Sequence, residues 1–390
     1  MEGDFIKIND WLRPFSWIYG LGVNIRNILF EIGLLKSRSF NIPIISVGNI
    51  TVGGTGKTPH VEYLIELLKD QFNVAVLSRG YKRKSRGFVL ATSQSKVTEI
   101  GDEPYQMKLK YPDVTVAVDK NRCHGIEQLM DDRVAKDIDV ILLDDAFQHR
   151  YVKPGINILL VDYHRLIIYD TLLPAGRLRE PLSGKNRADI VIVTKCPSTL
   201  KPMEFRVLTK AMELYPYQQL FFTSIGYKDL IPIYCGENRP LASIKPNENI
   251  LLLTGIASPK QMIVDLEPYS KNITSLEFED HHQFKPKDIE LINETFATMP
   301  SPKCIITTEK DSARIFGQEG LSDEVRHNIY ALPIEIKFIE EQEELFNEKI
   351  IGYVRKNSRN SILAKATDDH KSKNSNHSGH RTGTISFRNN

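Results

Sequence analysis

One stretch limits what this chain can fold into more than any other. Ile44-Ile-Ser-Val47 runs into Gly48-Asn-Ile-Thr-Val-Gly-Gly-Thr-Gly-Lys-Thr-Pro59. The isoleucine-rich run reads as a buried strand, the glycines as a tight loop and Pro59–Lys69 as a helix. Strand, glycine loop and helix in this order make an anion cradle. Backbone N–H groups wrap phosphates, and the helix N-terminus adds a favourable dipole. The general pattern G-x-x-x-x-G-K-[ST] is met at Gly56, Lys57 and Thr58, while Thr51 stands where its first glycine belongs. Gly53, Gly54, Thr55, Gly56, Lys57 and Thr58 are therefore expected to hold nucleotide phosphates. Lys57 would reach the β- and γ-phosphates, and Thr58 would ligate Mg²⁺. Pro59 suits the first helical turn, where its missing N–H costs nothing.

A second segment fits the first. Asp139-Val-Ile-Leu-Leu-Asp144-Asp145-Ala-Phe-Gln-His149 is a buried strand that ends in two carboxylates. Adjacent carboxylates repel unless a cation sits with them, and an Asp at this place in a phosphate-loop protein binds Mg²⁺. Asp144 follows the apolar run directly and is the expected metal ligand. Asp145 is expected to assist catalysis or to orient its neighbours.

Further short apolar runs recur at Asn73–Leu77, Val114–Val118, Ile156–Val161 and Asp189–Val193, separated by helical patterns. Such runs, apolar throughout, predict a parallel sheet covered on both faces. The fold class is thus α/β, a P-loop NTPase doubly wound parallel sheet with a second, smaller α/β domain. Between residues 215 and 250 Tyr, Pro and Gly become frequent and the alternation fades, which predicts an inter-domain hinge. A second unit then starts at Ile250–Leu253 with a helix over Pro259–Leu266, and Lys303–Thr307 is its next strand. The expected divisions are a helical N-terminal region at 1–40, a phosphate-loop core at 41–225, a smaller domain at 226–355 and a tail at 356–390. The tail is rich in Ser, Asn, Lys, His and Arg, a composition that cannot bury enough surface to fold.

Composition excludes some classes. The net charge of the 390 residues is +2, so no general basic field argues for nucleic acid. Basic clusters do occur at Tyr81-Lys-Arg-Lys-Ser-Arg86 and over Arg177–Arg187, and they suit phosphates or an anionic surface. The four cysteines, Cys123, Cys196, Cys235 and Cys304, are far apart and lack ligand spacing, so reduced thiols are expected. No secretory signal is visible. Trp11–Leu35 holds both tryptophans and many aliphatic residues, broken by Arg13, Pro14, Asn24, Arg26, Asn27 and Glu31. Its longest uncharged stretch is too short to span a bilayer. It reads either as a helix in the membrane interface or as one packed on the protein's own core.

Further segments, in order, resemble one family. They are Val47–Pro59, Leu77-Ser-Arg-Gly-Tyr81, Gly101-Asp-Glu-Pro104, Asp144–His149, Leu173-Pro-Ala-Gly-Arg-Leu-Arg-Glu-Pro181, Asp280-His281 and Thr308-Glu-Lys-Asp311. The ordered set, over roughly 11–350, resembles the tetraacyldisaccharide 4′-kinase (lipid A 4′-kinase) family. Ala146 departs from the Gly of that family's Asp-Asp-Gly-Phe-Gln motif, which puts local turn geometry in doubt. The resemblance implies transfer of the ATP γ-phosphate to the 4′-hydroxyl of a tetraacyldisaccharide 1-phosphate. It implies ATP and Mg²⁺ as cofactors, a lipid disaccharide substrate and a membrane surface as partner. It also implies a peripheral place on the cytoplasmic face of the bacterial inner membrane, which favours the interfacial reading of Trp11–Leu35. Nothing in the sequence specifies a protein partner.

The family uses an Asp–His pair on the acceptor hydroxyl, and by motif Asp102 and His281 carry over. Asp102 could instead cap a helix, and His282 lies beside His281. Arg177, Arg179 and Glu180 on one loop, and Arg79 on another, are candidate substrate-binding residues, with solvated loop charges as the alternative. A nucleotide-switch GTPase or assembly factor would share the phosphate loop and the acidic strand end. It should carry a guanine-reading Asn-Lys-x-Asp, and the chain offers only Thr194-Lys-Cys-Pro197. A non-catalytic scaffold would not need Lys57, Thr58 and Asp144 together.

Overall fold

The computed structural model describes residues 8–255, 260–279 and 282–358. Nine strands form the larger sheet, in the spatial order Ile334–Phe338, Gln219–Tyr227, Ile190–Thr194, Ile156–Asp162, Ile44–Gly48, Val140–Asp144, Val74–Ser78, Thr115–Val118 and Val89–Leu90. The two edge strands pair antiparallel and the pairs between them are parallel. Alternate residues feed opposite cores. Ile45, Val76 and Leu142 pack with Val61, Leu64 and Ile65 of the Lys57–Leu68 helix. Ile44, Leu77 and Ile141 pack with Ile126 and Leu129 of the Arg122–Met130 helix. Both faces are dry, which is why these strands are apolar throughout.

Ile44–Gly48 is central. The chain leaves it toward one side of the sheet and later returns to build the other. Ligands of such folds bind outside the carboxyl ends of the strands at this switch point. The register sets Val47 opposite Asp144, so the glycine loop and the acidic strand end leave the sheet side by side.

The smaller sheet has the order Ile273–Glu277, Asn249–Thr254, Lys303–Thr308, Ile329–Leu332 and Ile231–Pro232. Two features differ from the sequence expectation. Within residues 215–250, expected to be a hinge, Gln219–Tyr227 runs as a nine-residue strand parallel to Ile190–Thr194. Gln219, Thr223 and Ser224 interrupt its apolar pattern; Thr223 Oγ1 lies 3.2 Å from His60 Nε2, and Ser224 Oγ donates to the Lys337 carbonyl at 3.4 Å. The end of the stretch placed in the smaller unit also returns to the larger sheet. Ile334–Phe338 pairs with Gln219–Tyr227, and the Gln342–Asn357 helix buries Phe346, Ile350 and Val354 in the larger core. Such a return is a long-range pairing that no local pattern records. Of the 356–390 tail, residues 359–390 lie outside the described residues.

The Arg13–Glu31 helix docks by its small and polar side, burying Ser16, Gly20, Asn27 and Phe30. Ser16 Oγ donates to the Leu172 carbonyl at 2.9 Å, Tyr19 Oη to that of Arg179 at 2.7 Å, and Arg150 Nη1 to Asn27 Oδ1 at 3.0 Å. The apolar side faces outward. Trp11 is 80% and Trp17 75% exposed, and Ile18, Leu21, Ile25 and Ile28 are exposed with them. No helix among the described residues is long and apolar enough to cross a membrane.

Candidate active site

The glycine loop is shaped from three directions. Gly48 cannot carry a side chain, because a Cβ there would stand 2.7 Å from Phe147 Cβ. Gly56 has φ +81, a left-handed turn that starts the Lys57–Leu68 helix. Thr194 Oγ1 donates to the Thr55 carbonyl at 3.0 Å, and Asn49 Nδ2 to Thr55 Oγ1 at 2.9 Å. Lys195 Nζ donates to the Gly54 carbonyl and, at 2.7 Å, to Asp162 Oδ2. The Thr194-Lys195 pair thus holds the phosphate loop from the strand two places away. His60, buried behind the loop, sits 2.7 Å from the Gly56 carbonyl, and burial lowers its pKa to about 4.

The Leu173–Pro181 loop zips onto the segment leading into the glycines. Val52 N–H donates to the Arg177 carbonyl at 2.8 Å and Arg179 N–H to that of Ile50 at 2.7 Å. This pairing brings two predicted arginines to the site. Arg177 Nη1 lies 4.0 Å from where a Cβ on Gly53 would be, and Arg179 Nη1 is 3.6 Å from Asp145 Oδ2. Lys57 Nζ is 3.7 Å from the other oxygen of Asp145. Asp145 therefore bridges Lys57 and Arg179, two cations suited to a γ-phosphate. Asp145 itself takes the left-handed φ of +46, so the residue after it has no need of glycine. Ala146 is buried, and its N–H donates to the Val47 carbonyl.

Asp144 is 1% exposed. Oδ2 accepts from Ser78 Oγ at 3.3 Å, whereas Oδ1 is buried without a hydrogen-bond partner. Burial, then the Glu103 and Asp145 charges, push its pKa up to about 7, against the pull of Lys57 and Arg122. A buried carboxylate with an open oxygen, amid two other acids, is what a divalent cation would complete. No three His, Cys, Asp or Glu side chains among the described residues form a metal cage by themselves. Mg²⁺ at phosphotransfer sites relies on one or two carboxylates, phosphates and water, and the open Asp144 carboxylate fits that pattern.

Two residues here escaped the sequence reading. Glu103 adds to the negative field on Asp144. Arg122 is buried, donates to the carbonyls of Asp119 at 2.6 Å and Asp144 at 3.0 Å, and holds the acidic strand end in place. No spacing or motif flags Arg122.

Of the other predicted residues, Arg79 lies close enough to Arg122 to act on its charge, and Asp102 adjoins Glu103, which acts on Asp144. Glu180 points inward, pairs with Arg187 at 2.8 Å and leaves Oε1 buried without a hydrogen-bond partner. Arg79 lines a cavity of about 570 Å³ with Tyr81, Lys82, Arg83, Arg86 and Lys120. Asp102 opens the Asp102–Lys110 helix, with Gly101 in the cap position, so its carboxylate is not the cap. Arg314 of the smaller unit donates to it at 2.7 Å. His281 lies outside the described residues. His282 Nε2 is 2.8 Å from Asp288 Oδ2, and its ring stacks on Phe278.

Comparison with known proteins agrees with this geometry. A family model described as tetraacyldisaccharide-1-P 4′-kinase matches residues 8–353. The chain is 61% identical to a tetraacyldisaccharide 4′-kinase of Phocaeicola vulgatus, over 93% of this chain and 99% of that one. It is 56% identical to one of Bacteroides thetaiotaomicron, over 95% and 100%. The crystal structure of LpxK from Aquifex aeolicus in complex with ATP superposes with a TM-score of 0.67 at 31% identity, covering 89% of this chain and 99% of that one.

Proposed function

The chain belongs to the tetraacyldisaccharide 4′-kinase family, and from that premise we propose how its own residues carry the transfer. It is an ATP-dependent kinase that moves the γ-phosphate to the 4′-hydroxyl of a tetraacyldisaccharide 1-phosphate in lipid A biosynthesis. The glycine loop, Gly53 to Thr58, wraps the phosphates with backbone N–H groups. Lys57, bridged to Asp145, reaches the β- and γ-phosphates. Arg177 and Arg179 meet the charge that spreads over the transferring group. Little covalent chemistry falls to the protein in such a reaction, and positioning with electrostatics supplies the rate. Thr58 and Asp144 would hold Mg²⁺, which when bound neutralises charge between the β- and γ-phosphates. Asp102, with His281, takes the proton as the 4′-oxygen bonds to phosphorus and the bond to ADP breaks. Arg79 and its cationic cavity serve the substrate's phosphate end.

The observation that carries this reading is Asp144, buried with one unpartnered oxygen and in register with the last residues before the glycine loop. It is tested with γ-labelled ATP and the disaccharide 1-phosphate lipid in mixed micelles. Lys57→Ala and Asp144→Ala should each lower transfer by at least about 10²-fold, with native circular dichroism. Near-normal turnover in either purified variant refutes the assignment.

The exposed apolar side of the Arg13–Glu31 helix, with Trp11 in the turn before it, supports a peripheral site of action, with Trp11, Trp17, Ile18 and Leu21 lying in the bilayer interface. A four-chain lipid does not leave the bilayer readily, so the enzyme comes to it, at the cytoplasmic face of the inner membrane.

A further inference from the structure

Two side chains of the smaller unit, Glu309 and Arg314, grip the helix that carries Asp102 at both ends. At the far end, Lys110 Nζ is 2.7 Å from Glu309 of the smaller unit and 2.7 Å from Glu62 of the phosphate-loop helix. At the near end stands Arg314, in the Glu309–Ile315 helix, its side chain 4% exposed. Nη2 donates to Asp102 Oδ2 at 2.7 Å and Nη1 to Asp311 Oδ1 at 3.0 Å. Asp311 is fully buried, and its Oδ2 accepts from the Gly255 N–H at 2.8 Å and from Thr308 Oγ1 at 2.8 Å. The guanidinium therefore cannot swing. It is fixed on one side to a carboxylate that is itself fixed at two points, and a planar fork transmits that constraint to the other side.

We propose that Arg314 is a positioning residue for the transfer: with Asp311 it locks the Asp102 carboxylate in the orientation needed to handle the acceptor proton. The smaller unit is then the rigid anvil for one catalytic group. This inference rests on the reading of Asp102 given above. Its chemistry is geometric. A carboxylate gripped by a fixed guanidinium keeps one orientation, whereas one without that grip samples more, and a displacement of about 1 Å in a reacting group lowers a rate by about 10²-fold. Lysine should be a poor substitute, because one ammonium on a flexible stem cannot span Asp102 and Asp311 in fixed geometry.

The test is a double-variant cycle on the full chain, with Asp102→Asn, Arg314→Gln, Arg314→Lys and the Asp102→Asn/Arg314→Gln pair. Transfer is measured at saturating ATP and lipid, and binding of a non-hydrolysable ATP analogue is measured separately. Arg314→Gln should lower kcat by about 10²-fold and leave nucleotide affinity within about two-fold, because the phosphate loop is untouched. Arg314→Lys, which keeps the charge and guards against a folding failure, should recover only part of kcat. In the Asp102→Asn background Arg314→Gln should lower kcat no further, since a group acting through Asp102 has nothing left to position. Full loss in both backgrounds, or a parallel loss of nucleotide binding, would mark a structural role and overturn the proposal. Normal turnover in Arg314→Gln beside a dead Asp102→Asn would overturn it while leaving the Asp102 reading intact. Normal turnover in Asp102→Asn would overturn that reading first.

Discussion

Removing the charge of Asp144 should stabilise the resting protein while destroying its activity. This carboxyl is buried, one oxygen has no hydrogen-bond partner, and Glu103 and Asp145 add to the negative field. A rise from the ordinary 3.8 to about 7 means that the charged form is penalised by on the order of 4 kcal/mol. The group's folded pKa lies above its unfolded value, so the native state binds the extra proton between those limits. Stability is therefore lost as pH rises from about 4 through about 7, and the loss is complete above that window. Asp144→Asn keeps the shape and the Ser78 contact but has no charge to bury. At about pH 8.5 the ligand-free variant should melt several degrees above wild type, since a few kcal/mol moves a chain of this size by about that much. At about pH 5.5 the gain should shrink, because the wild-type carboxyl is then mostly protonated. Magnesium with ATP should raise the melting temperature of wild type at the higher pH and do so much less for the variant. The assay is differential scanning calorimetry at the two pH values, with and without ligand, beside the transfer assay. An equal gain at both pH values, or a lower melting temperature at the higher one, would refute the buried-charge argument.

Other expectations follow from the same geometry. Replacing exposed Trp11, Trp17 and Ile18 together by Ser should weaken pelleting with phospholipid vesicles and leave the melting temperature nearly unchanged, because none of the three is buried; unchanged pelleting would place the membrane contact elsewhere. His281→Ala should lower turnover by about 10²–10⁴-fold, whereas His282→Ala, which loses the Asp288 contact and the Phe278 stack, should lower stability by about 1 kcal/mol with near-normal kcat. The reverse pattern in steady-state kinetics would shift the base by one residue. Lys195→Ala should raise KM for ATP more than it lowers kcat, since Lys195 secures the Gly54 carbonyl and Asp162; an unaltered KM would show that the glycine loop holds its shape alone. Deleting residues 359–390 should leave turnover unchanged, and a large loss in a folded variant would reveal a role for the tail.

Much of this was legible locally. A strand is apolar throughout only when both its faces are covered, so Ile44–Val47 and Asp139–Asp144 announced a parallel sheet. Glycines before Lys57-Thr58 pointed to a phosphate cradle, and two carboxylates after an apolar run pointed to a cation. These signals depend on neighbours in sequence, which is why Lys57, Thr58 and Asp144 stand out as candidates from the chain alone. The tertiary structure decided what depends on distant segments. Gln219–Tyr227 reads as a break because its polar residues Thr223 and Ser224 find their partners on His60 and Lys337, more than a hundred positions away. Ile334–Phe338 belongs to the larger sheet only because Gln219–Tyr227 offers an open edge. Glu180 looks like a loop charge until Arg187 draws it inward, and the Leu173–Pro181 arginines reach the site only by pairing with Ile50 and Val52. Arg122 and Arg314 carry no motif at all. A buried arginine is fixed by the carbonyls and carboxylates around it, and those come from strands and helices that meet only when the chain has folded.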